Sequence, residues 1–163
     1  MDVICEGLSK IYPDGHEALK DISLQIQPGL FGLLGPNGAG KTTFMEILTL
    51  LLEPTSGRLI INGVDARRHP DKIRPLIGYL PQFFGFFPEL TAREFLMYLG
   101  SLRGMKGRRL RRQVDELLIV VRLAEVGRKR LKTFSGGMLR RVGIAQALLS
   151  DPQFIVVDEP TAG

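Results

Sequence analysis

The 163-residue sequence has one cysteine and no long hydrophobic run. The single Cys5 cannot form a disulfide within the chain, and this scarcity of cysteine fits a reducing compartment. The longest apolar stretches, residues 44–52 and 117–121, are too short or too interrupted to cross a bilayer, which takes about 20 apolar residues. We therefore expect a chain without a membrane span of its own.

The sequence also lacks a recognisable secretion signal, internal repeats and low-complexity tracts. Its first residues lead straight into an alternating apolar and polar pattern, so we expect a cytoplasmic protein. No interdomain linker interrupts the chain, and a 44% hydrophobic content is enough for a packed core. The length is that of one ordinary domain, and we expect residues 1–163 to form a single domain.

Acidic side chains are outnumbered by basic ones, 17 to 22, which gives a net charge of +5. Much of the excess lies in residues 103–112 and 128–132. Such clusters can contact the phosphates of nucleic acid or anionic lipid, or they can simply form a solvated helix face.

Strand and helix patterns alternate along the chain. Residues 3–11 and 22–26 alternate apolar and polar side chains, as half-buried antiparallel strands do. The continuous apolar run 30–34 predicts a strand covered on both faces, followed directly by a helix over 41–52. Further strands are predicted at 58–61, at 77–80 and, buried, at 154–157.

Three more helices are expected in the second half of the chain. Thr91 and Glu94 have the spacing of a capping box, and the helix they open places Phe95, Tyr98, Leu99 and Leu102 on one face. After a break at 104–107, a second helix places its apolar residues opposite its arginines. A third runs from about Met138 to Leu149 and is stopped by Pro152.

Residues 35–42 read Gly-Pro-Asn-Gly-Ala-Gly-Lys-Thr, the pattern G-x-x-x-x-G-K-T of a phosphate-binding loop. The alternative, a glycine-rich turn with an incidental lysine, is disfavoured by the predicted strand before it and the helix after it. Glycines let backbone N–H groups approach phosphate oxygens, and a helix N-terminus adds positive potential. Lys41 would place a charge near the terminal phosphates, and Thr42 would offer its hydroxyl to Mg²⁺. The predicted nucleotide-binding residues here are Gly35, Pro36, Asn37, Gly38, Ala39, Gly40, Lys41, Thr42 and Thr43.

Asp158 and Glu159 follow four apolar residues at the end of the last predicted strand. A carboxylate at this end of a strand faces the phosphate-loop crevice in such folds, where Asp158 can hold Mg²⁺ through its water shell. Glu159 is placed to polarise the attacking water. Alone, this pair would be interpreted as a solvated strand end, but the phosphate loop upstream favours the catalytic interpretation.

Ser135, Gly136 and Gly137 precede the last predicted helix. A serine is an ordinary N-cap, but two consecutive glycines at a helix start are costly unless the backbone must approach a ligand closely. The order of phosphate loop, Gln82, Phe-Ser-Gly-Gly and Val-Val-Asp-Glu-Pro-Thr resembles the ATP-binding subunit of an ABC transporter. The resemblance covers nearly the whole chain, and the combination of motifs is highly specific.

The resemblance implies a role for each motif. Tyr12 resembles the aromatic residue that stacks on adenine, and Gln82 the residue that touches Mg²⁺ or water and senses the membrane partner. Lys41, Gln82 and Glu159 are then the catalytic candidates, with Thr42, Gln82 and Asp158 around the metal. Residues 135–137 resemble the signature motif, which contacts the ATP held by the opposite subunit, and 161–163 the start of a loop at the dimer interface.

The implied fold is α/β: a P-loop core with a parallel sheet, an N-terminal antiparallel sheet and an inserted helical subdomain at about 88–135. The implied function is to bind MgATP and, as a dimer, to hydrolyse it to ADP and phosphate for transport by a transmembrane permease. The protein would lie on the inner face of the plasma membrane, and no nucleic-acid partner is expected.

Two features depart from the family pattern. Met138 stands where the family usually has glutamine, which resembles a subset of bacterial exporter-type ATPases. Neither His16 nor His69 matches the switch histidine, which the family carries on a strand after the Asp158 strand. We therefore expect a C-terminally truncated domain, of low stability and with weak or no turnover alone. Two alternatives remain: a soluble ABC-type ATPase acting on ribosomes or DNA, suggested by residues 103–112, and a non-catalytic remnant.

Overall fold

The computed structural model describes residues 2–83 and 85–158. Contacts divide them into two compact units, residues 2–77 and residues 78–158. Within the described residues, no helix combines the length and the apolar character needed to cross a bilayer.

The first unit is mainly β-structure with one helix of two turns. Its elements are β1 (Val3–Ile11), β2 (Glu17–Ile26), α1 (Lys41–Leu48), β3 (Ser56–Ile61), β4 (Val64–Asp65) and α2 (Pro70–Ile73), followed by the 3₁₀ turn Arg74–Leu76.

The four strands of the first unit form an antiparallel sheet in the order β2-β1-β3-β4. β1 lies between its partners, with Val3 opposite both Ile26 and Ile61. Val3 and Cys5 are buried with period-2 spacing, and Leu8 is buried after a register shift that follows Cys5, so β1 has the predicted bounds. β2 is longer than predicted because its pairing with β1 continues to Glu17.

The predicted strand at 30–34 is wrong. Residues 30–36 have no regular structure, and the side chains of Leu30 and Leu34 are 104% and 93% exposed. A strand exists only when a neighbour pairs with its backbone groups, and none of the described strands pairs with this segment. The helix that follows is also shorter than predicted, since α1 ends at Leu48.

Buried Cys5 offers a test of the first unit. Burial raises the pKa of its thiol to about 11, because the charged thiolate loses its hydration. At pH 8 we expect roughly 0.1% thiolate in the folded chain, so a thiol reagent should react with Cys5 only slowly. Denaturant should restore full reactivity, whereas equal rates with and without denaturant would contradict the burial. Because folding raises the pKa of this thiol, we also expect the free energy of unfolding to fall as the pH rises above about 9, where the thiol of the unfolded chain ionises.

The second unit combines a small sheet with three helices. Its elements are β5 (Ile77–Leu80, whose first residue is the last of the first unit), α3 (Ala92–Leu102), α4 (Gly107–Val120), the 3₁₀ turn Leu131–Thr133, α5 (Gly136–Leu148) and β6 (Phe154–Val157). β5 and β6 form a two-stranded parallel sheet, and the Asp158 amide donates to the Leu80 carbonyl at 2.9 Å.

The helices of the second unit enclose one hydrophobic core. Leu110, Val114, Leu117 and Leu118 of α4 are all buried there, which confirms the face predicted from the sequence. On α3 the prediction was partly wrong. Phe95 is buried, but Tyr98 and Leu102 are 45% and 67% exposed, and the next buried position is Leu96.

Strand β6 has the predicted bounds but not the predicted burial. Val156 is buried, whereas Ile155 and Val157 are 44% and 38% exposed. An apolar strand is covered on both faces only when other layers pack on both sides.

The capping box that opens α3 is confirmed. The Glu94 amide donates to the Thr91 hydroxyl oxygen at 3.1 Å, and the Thr91 amide donates to the Glu94 carboxylate at 2.9 Å. The backbone N–H and the hydroxyl of Thr91 both hold the pKa of Glu94 below its usual range, because they stabilise the carboxylate.

Candidate functional site

The phosphate loop of the first unit depends on two left-handed glycines. Gly38 and Gly40 have φ angles of +81° and +79°, a region that L side chains rarely adopt. Gly40 precedes α1 directly, and its carbonyl accepts the first helical hydrogen bond from Phe44 at 2.8 Å. A Cβ on Gly40 would collide with the backbone oxygen of Ala18 on β2. The loop therefore packs directly on the sheet at this point.

Lys41 folds back over the loop that precedes it. Its Nζ donates to the carbonyls of Gly35 at 2.8 Å and Pro36 at 2.7 Å. Residues 35–39 and Thr42 are exposed, while Thr43 is half-buried. The ammonium group is therefore held beside an open backbone loop at the N-terminus of a helix, where an anion is favoured.

Tyr12 lies beside the helix that follows the loop. Its hydroxyl and that of Thr43 are hydrogen-bonded at 3.2 Å. The ring stacks loosely on His16, with centroids 6.2 Å apart, and Lys10 Nζ lies 5.6 Å from the ring centroid. The predicted adenine-stacking residue thus contacts α1, the helix that follows the phosphate loop in the same unit.

These groups fit a nucleoside triphosphate. A left-handed glycine loop without room for a side chain at Gly40, a lysine over the loop and a helix N-terminus form an anion cradle. The exposed Thr42 stands at the first turn of α1, where its hydroxyl could serve a metal ion bound to phosphate.

The predicted signature residues begin α5 in the second unit. Ser135 is the N-cap, and its hydroxyl oxygen accepts from the Met138 amide at 3.3 Å, so the ordinary capping role is present. Gly136 and Gly137 are exposed, and a Cβ on either would meet no atom of the described residues within 4 Å. Packing among the described residues therefore does not explain the two glycines, and the close approach of a ligand stays their predicted purpose.

Ion pairs and backbone hydrogen bonds hold the segment that leads to Ser135. Glu89 accepts from Lys132 Nζ at 2.9 Å and from Arg130 Nη1 at 3.0 Å. The bond from Lys132, more than the nearby charges, holds the pKa of Glu89 below its usual range. The amides of Leu131 and Lys132 donate to the carbonyls of Leu90 and Pro88.

Met138 lines an open cavity next to this segment. The cavity has a volume of about 650 Å³, and its walls are Val126, Lys129, Arg130, Thr133 and Met138. Met138 also packs partly against the helical core.

Gln82 and Asp158 lie at the ends of the two strands of the second unit. Gln82 is exposed just after β5, and Asp158 is 7% exposed just after β6. Because β5 and β6 are parallel neighbours, their carboxyl ends reach the same edge of the small sheet. Glu159 and residues 161–163 lie outside the described residues.

Arg140 of α5 is a site residue that the sequence did not predict. Its guanidinium donates to the carbonyls of Pro81 at 3.2 Å, Gln82 at 3.4 Å and Asp158 at 3.2 Å. One side chain therefore ties the signature helix to the ends of β5 and β6. No sequence signal could have identified these bonds, because the acceptors are backbone atoms 18 to 59 residues away.

The aromatic segment after Gln82 divides between core and surface. Phe86 packs against the helical core, while Phe83 and Phe87 are 86% and 52% exposed. The Phe87 ring meets Phe95 and Tyr98 edge-on, with centroids 6.4 and 5.6 Å apart. Phe84 lies outside the described residues. Within the described part of this segment, Phe86 thus contributes to the helical core, while Phe83 and Phe87 remain largely at the surface.

Comparison with known families identifies the chain. The family model described as ABC transporter matches residues 19–162. The chain belongs to the ABC transporter family. Its phosphate loop, Gln82, residues 135–137 and Met138 all lie within the matched range.

Two relatives place the chain among ABC transporter ATP-binding proteins. It is 44% identical over 158 residues to the uncharacterised ABC transporter ATP-binding protein YxlF of Bacillus subtilis, covering 96% of this chain and 52% of that protein. It is 40% identical over 162 residues to the daunorubicin resistance ATP-binding protein DrrA3 of Streptomyces coeruleorubidus, covering 99% and 51%. The chain thus spans about half the length of these relatives.

Solved structures show the same fold. The dimeric, post-hydrolysis ATP-binding cassette MJ0796 bound to ADP and phosphate superposes with a TM-score of 0.85 at 32% identity, covering 98% of this chain and 74% of that one. An ATP-binding subunit of an ABC transporter superposes with a TM-score of 0.80 at 28% identity, covering 99% of this chain and 67% of that one. The prediction of an α/β P-loop fold with a separate antiparallel sheet is therefore confirmed.

Proposed function

We propose that this chain binds MgATP through residues 35–43 and Tyr12. The observation that carries the proposal is the loop itself: two left-handed glycines, Lys41 turned onto the loop carbonyls and a helix N-terminus directly behind it. Membership of the ABC transporter family supports the choice of ATP.

Magnesium would be held mostly by phosphate oxygens and water, as is usual for this ion. Among residues 2–83 and 85–158, no group of three or more histidine, cysteine or acidic side chains is placed to hold a metal. Thr42 would offer its hydroxyl to the ion, with Gln82 and Asp158 supplying oxygens through its water shell. The ion supplies charge neutralisation at the terminal phosphates.

In the complete protein we propose that two such domains hydrolyse ATP together. Ser135, Gly136 and Gly137 would contact the γ-phosphate held by the opposite domain, and Glu159 would orient the water that attacks the γ-phosphorus. The bond to the bridging oxygen breaks, which releases ADP and phosphate. The solved dimeric relative bound to ADP and phosphate supports this arrangement.

We propose one ABC ATP-binding domain whose helical subdomain occupies about residues 88–135, and a permease partner at the inner face of the plasma membrane. The hydrolysis would drive transport by that permease. A chain of 163 residues alone is proposed to turn over ATP weakly or not at all, since γ-phosphate contacts would come from a second subunit.

MgATP binding tests the proposal directly. We expect Lys41→Ala to weaken binding of a fluorescent ATP analogue by about tenfold to a hundredfold, because a charge-assisted contact to phosphate is lost. Lys72→Ala is the matched control, since Lys72 is an exposed lysine of the same unit that does not belong to residues 35–43. Equal affinities of Lys41→Ala and the unmodified chain would contradict nucleotide binding at this loop. Circular dichroism of each variant checks that it is folded.

A further inference from the structure

The start of α4 carries an unusual density of positive charge. Five basic residues occupy its N-cap and first turns, and we call them the basic turn: Lys106, Arg108, Arg109, Arg111 and Arg112. Three of the five line a shallow depression of about 410 Å³, whose walls are Arg108, Arg109, Arg112, Gln113 and Glu116. Helical spacing spreads the four arginines over the exposed arc of α4, opposite the buried Leu110 and Val114.

Most charges of the basic turn have no acidic partner among the described residues. Arg112 pairs with Glu116 at 2.7 Å, but Lys106, Arg108, Arg109 and Arg111 lie within 4 Å of no described carboxylate. Arg103, just before the basic turn, points elsewhere: its guanidinium donates to the Gln146 carbonyl and the Ser150 hydroxyl of the α5 end. The Arg103 side chain is therefore directed to the end of α5 and not to the basic turn.

The same charges oppose the dipole of their own helix. The N-terminus of a helix is its positive end, so acidic residues belong there and basic residues destabilise it. The first turn of α4 has no acidic residue, and its N-cap Lys106 makes no side-chain capping bond. By contrast, α3 in the same unit begins with the complete capping box of Thr91 and Glu94. An anionic partner at the basic turn would relieve both the repulsion and the missing cap.

The surroundings favour lipid over nucleic acid as that partner. Residues 99–133 contain no aromatic side chain on which a base could stack, and the ring of Tyr98 just before them meets Phe87 edge-on. Leu102, at the end of α3 and four residues before the basic turn, is 67% exposed. An exposed apolar residue close in sequence to a cluster of cations is typical of a protein edge that rests on an anionic bilayer.

We propose that the basic turn is a contact surface for the headgroups of an anionic phospholipid membrane. The inference rests on the proposed function only in that a transporter subunit works beside a membrane. It needs neither nucleotide nor hydrolysis, since none of the five residues belongs to the candidate nucleotide site.

Flotation of the whole chain with vesicles tests this contact. We expect the chain to bind vesicles of 30% phosphatidylglycerol and 70% phosphatidylcholine, and binding should weaken as the salt concentration rises. The variant Arg108→Gln, Arg109→Gln, Arg111→Gln should bind about a hundredfold more weakly, and each single substitution about fivefold. All three positions are exposed, so the variants should remain folded by circular dichroism and keep the MgATP affinity of the unmodified chain.

A charge-matched variant keeps the test specific. The control variant removes the same number of positive charges from exposed positions of the first unit, by Arg67→Gln, Arg68→Gln and Lys72→Gln. Its affinity for the anionic vesicles should stay within about threefold of that of the unmodified chain. If the two triple variants lost vesicle affinity equally, binding would depend on net charge alone, and the proposal would be overturned. Equal binding to pure phosphatidylcholine would overturn it too, and would point to the exposed apolar segment 30–34. Tighter binding to a duplex RNA than to the anionic vesicles, lost in the Arg108, Arg109, Arg111 variant, would make the surface a nucleic-acid site instead.

Discussion

Replacing Gly40 by alanine should loosen the whole first unit, lowering its opening free energy by about 2–5 kcal/mol. Two costs add together. A non-glycine residue at φ +79° costs roughly 1–2 kcal/mol, and overpacking a tight contact costs about 1–3 kcal/mol more. The new Cβ would collide with the Ala18 carbonyl oxygen and lie 2.9 Å from Leu19 Cδ2. Because both neighbours belong to β2, the edge strand beside β1, the sheet itself must shift.

Amide hydrogen exchange measures this effect where it should occur. Amides of β1 and β2 should exchange at least about thirtyfold faster in Gly40→Ala. The affinity for MgATP should fall in parallel, because the phosphate loop and α1 begin from the same contact.

Gly38→Ala separates strain from packing. Gly38 has nearly the same φ, +81°, but a Cβ there would meet no atom within 4 Å in the part of the chain that the structure describes. We expect only the strain cost, about 1–2 kcal/mol, and little change in the exchange of β2. If both alanine variants accelerated the exchange of the β2 amides equally, close packing of Gly40 on the sheet would not be what fixes the loop.

Features that depend on neighbouring residues in the chain were predictable from the sequence. The capping box of Thr91 and Glu94 involves atoms three residues apart, and the cap at Ser135 is equally local. The buried face of α4 follows from its 3.6-residue period, and the alternating pattern of β1 from its period of two. In each case the physical cause lies within one element.

Features that depend on distant partners were not predictable. The apolar run 30–34 is compatible with a buried strand, yet a strand forms only where another strand supplies backbone partners. Ile155 and Val157 of β6 are partly exposed for the related reason that apolar character does not by itself supply a covering layer. The site shows the same division: the phosphate loop was predicted residue by residue, whereas Arg140, which acts on backbone carbonyls, was not.

Arg140→Met should free the ends of β5 and β6 from α5. Methionine keeps an unbranched side chain of similar bulk but donates no hydrogen bond, so the carbonyls of Pro81, Gln82 and Asp158 lose a charged donor. Bonds from a charged donor contribute about 1.5–3 kcal/mol, and Arg140 is half-buried, so we expect a loss of about 3 kcal/mol for the three together. The Asp158 amide, which donates to Leu80, should exchange about a hundredfold faster.

Two variants distinguish the bonds of Arg140 from its charge. Arg141→Met removes the neighbouring arginine, which is exposed, and should leave the exchange of Asp158 unchanged. Arg140→Lys should give an intermediate rate, because a compact ammonium group cannot reach three separate carbonyls as the planar guanidinium does. Protection of Asp158 that survived in Arg140→Met would show that the sheet edge is fixed without α5. Protection lost there and retained in Arg141→Met would establish one side chain as the link between the signature helix and the strand ends that carry Gln82 and Asp158.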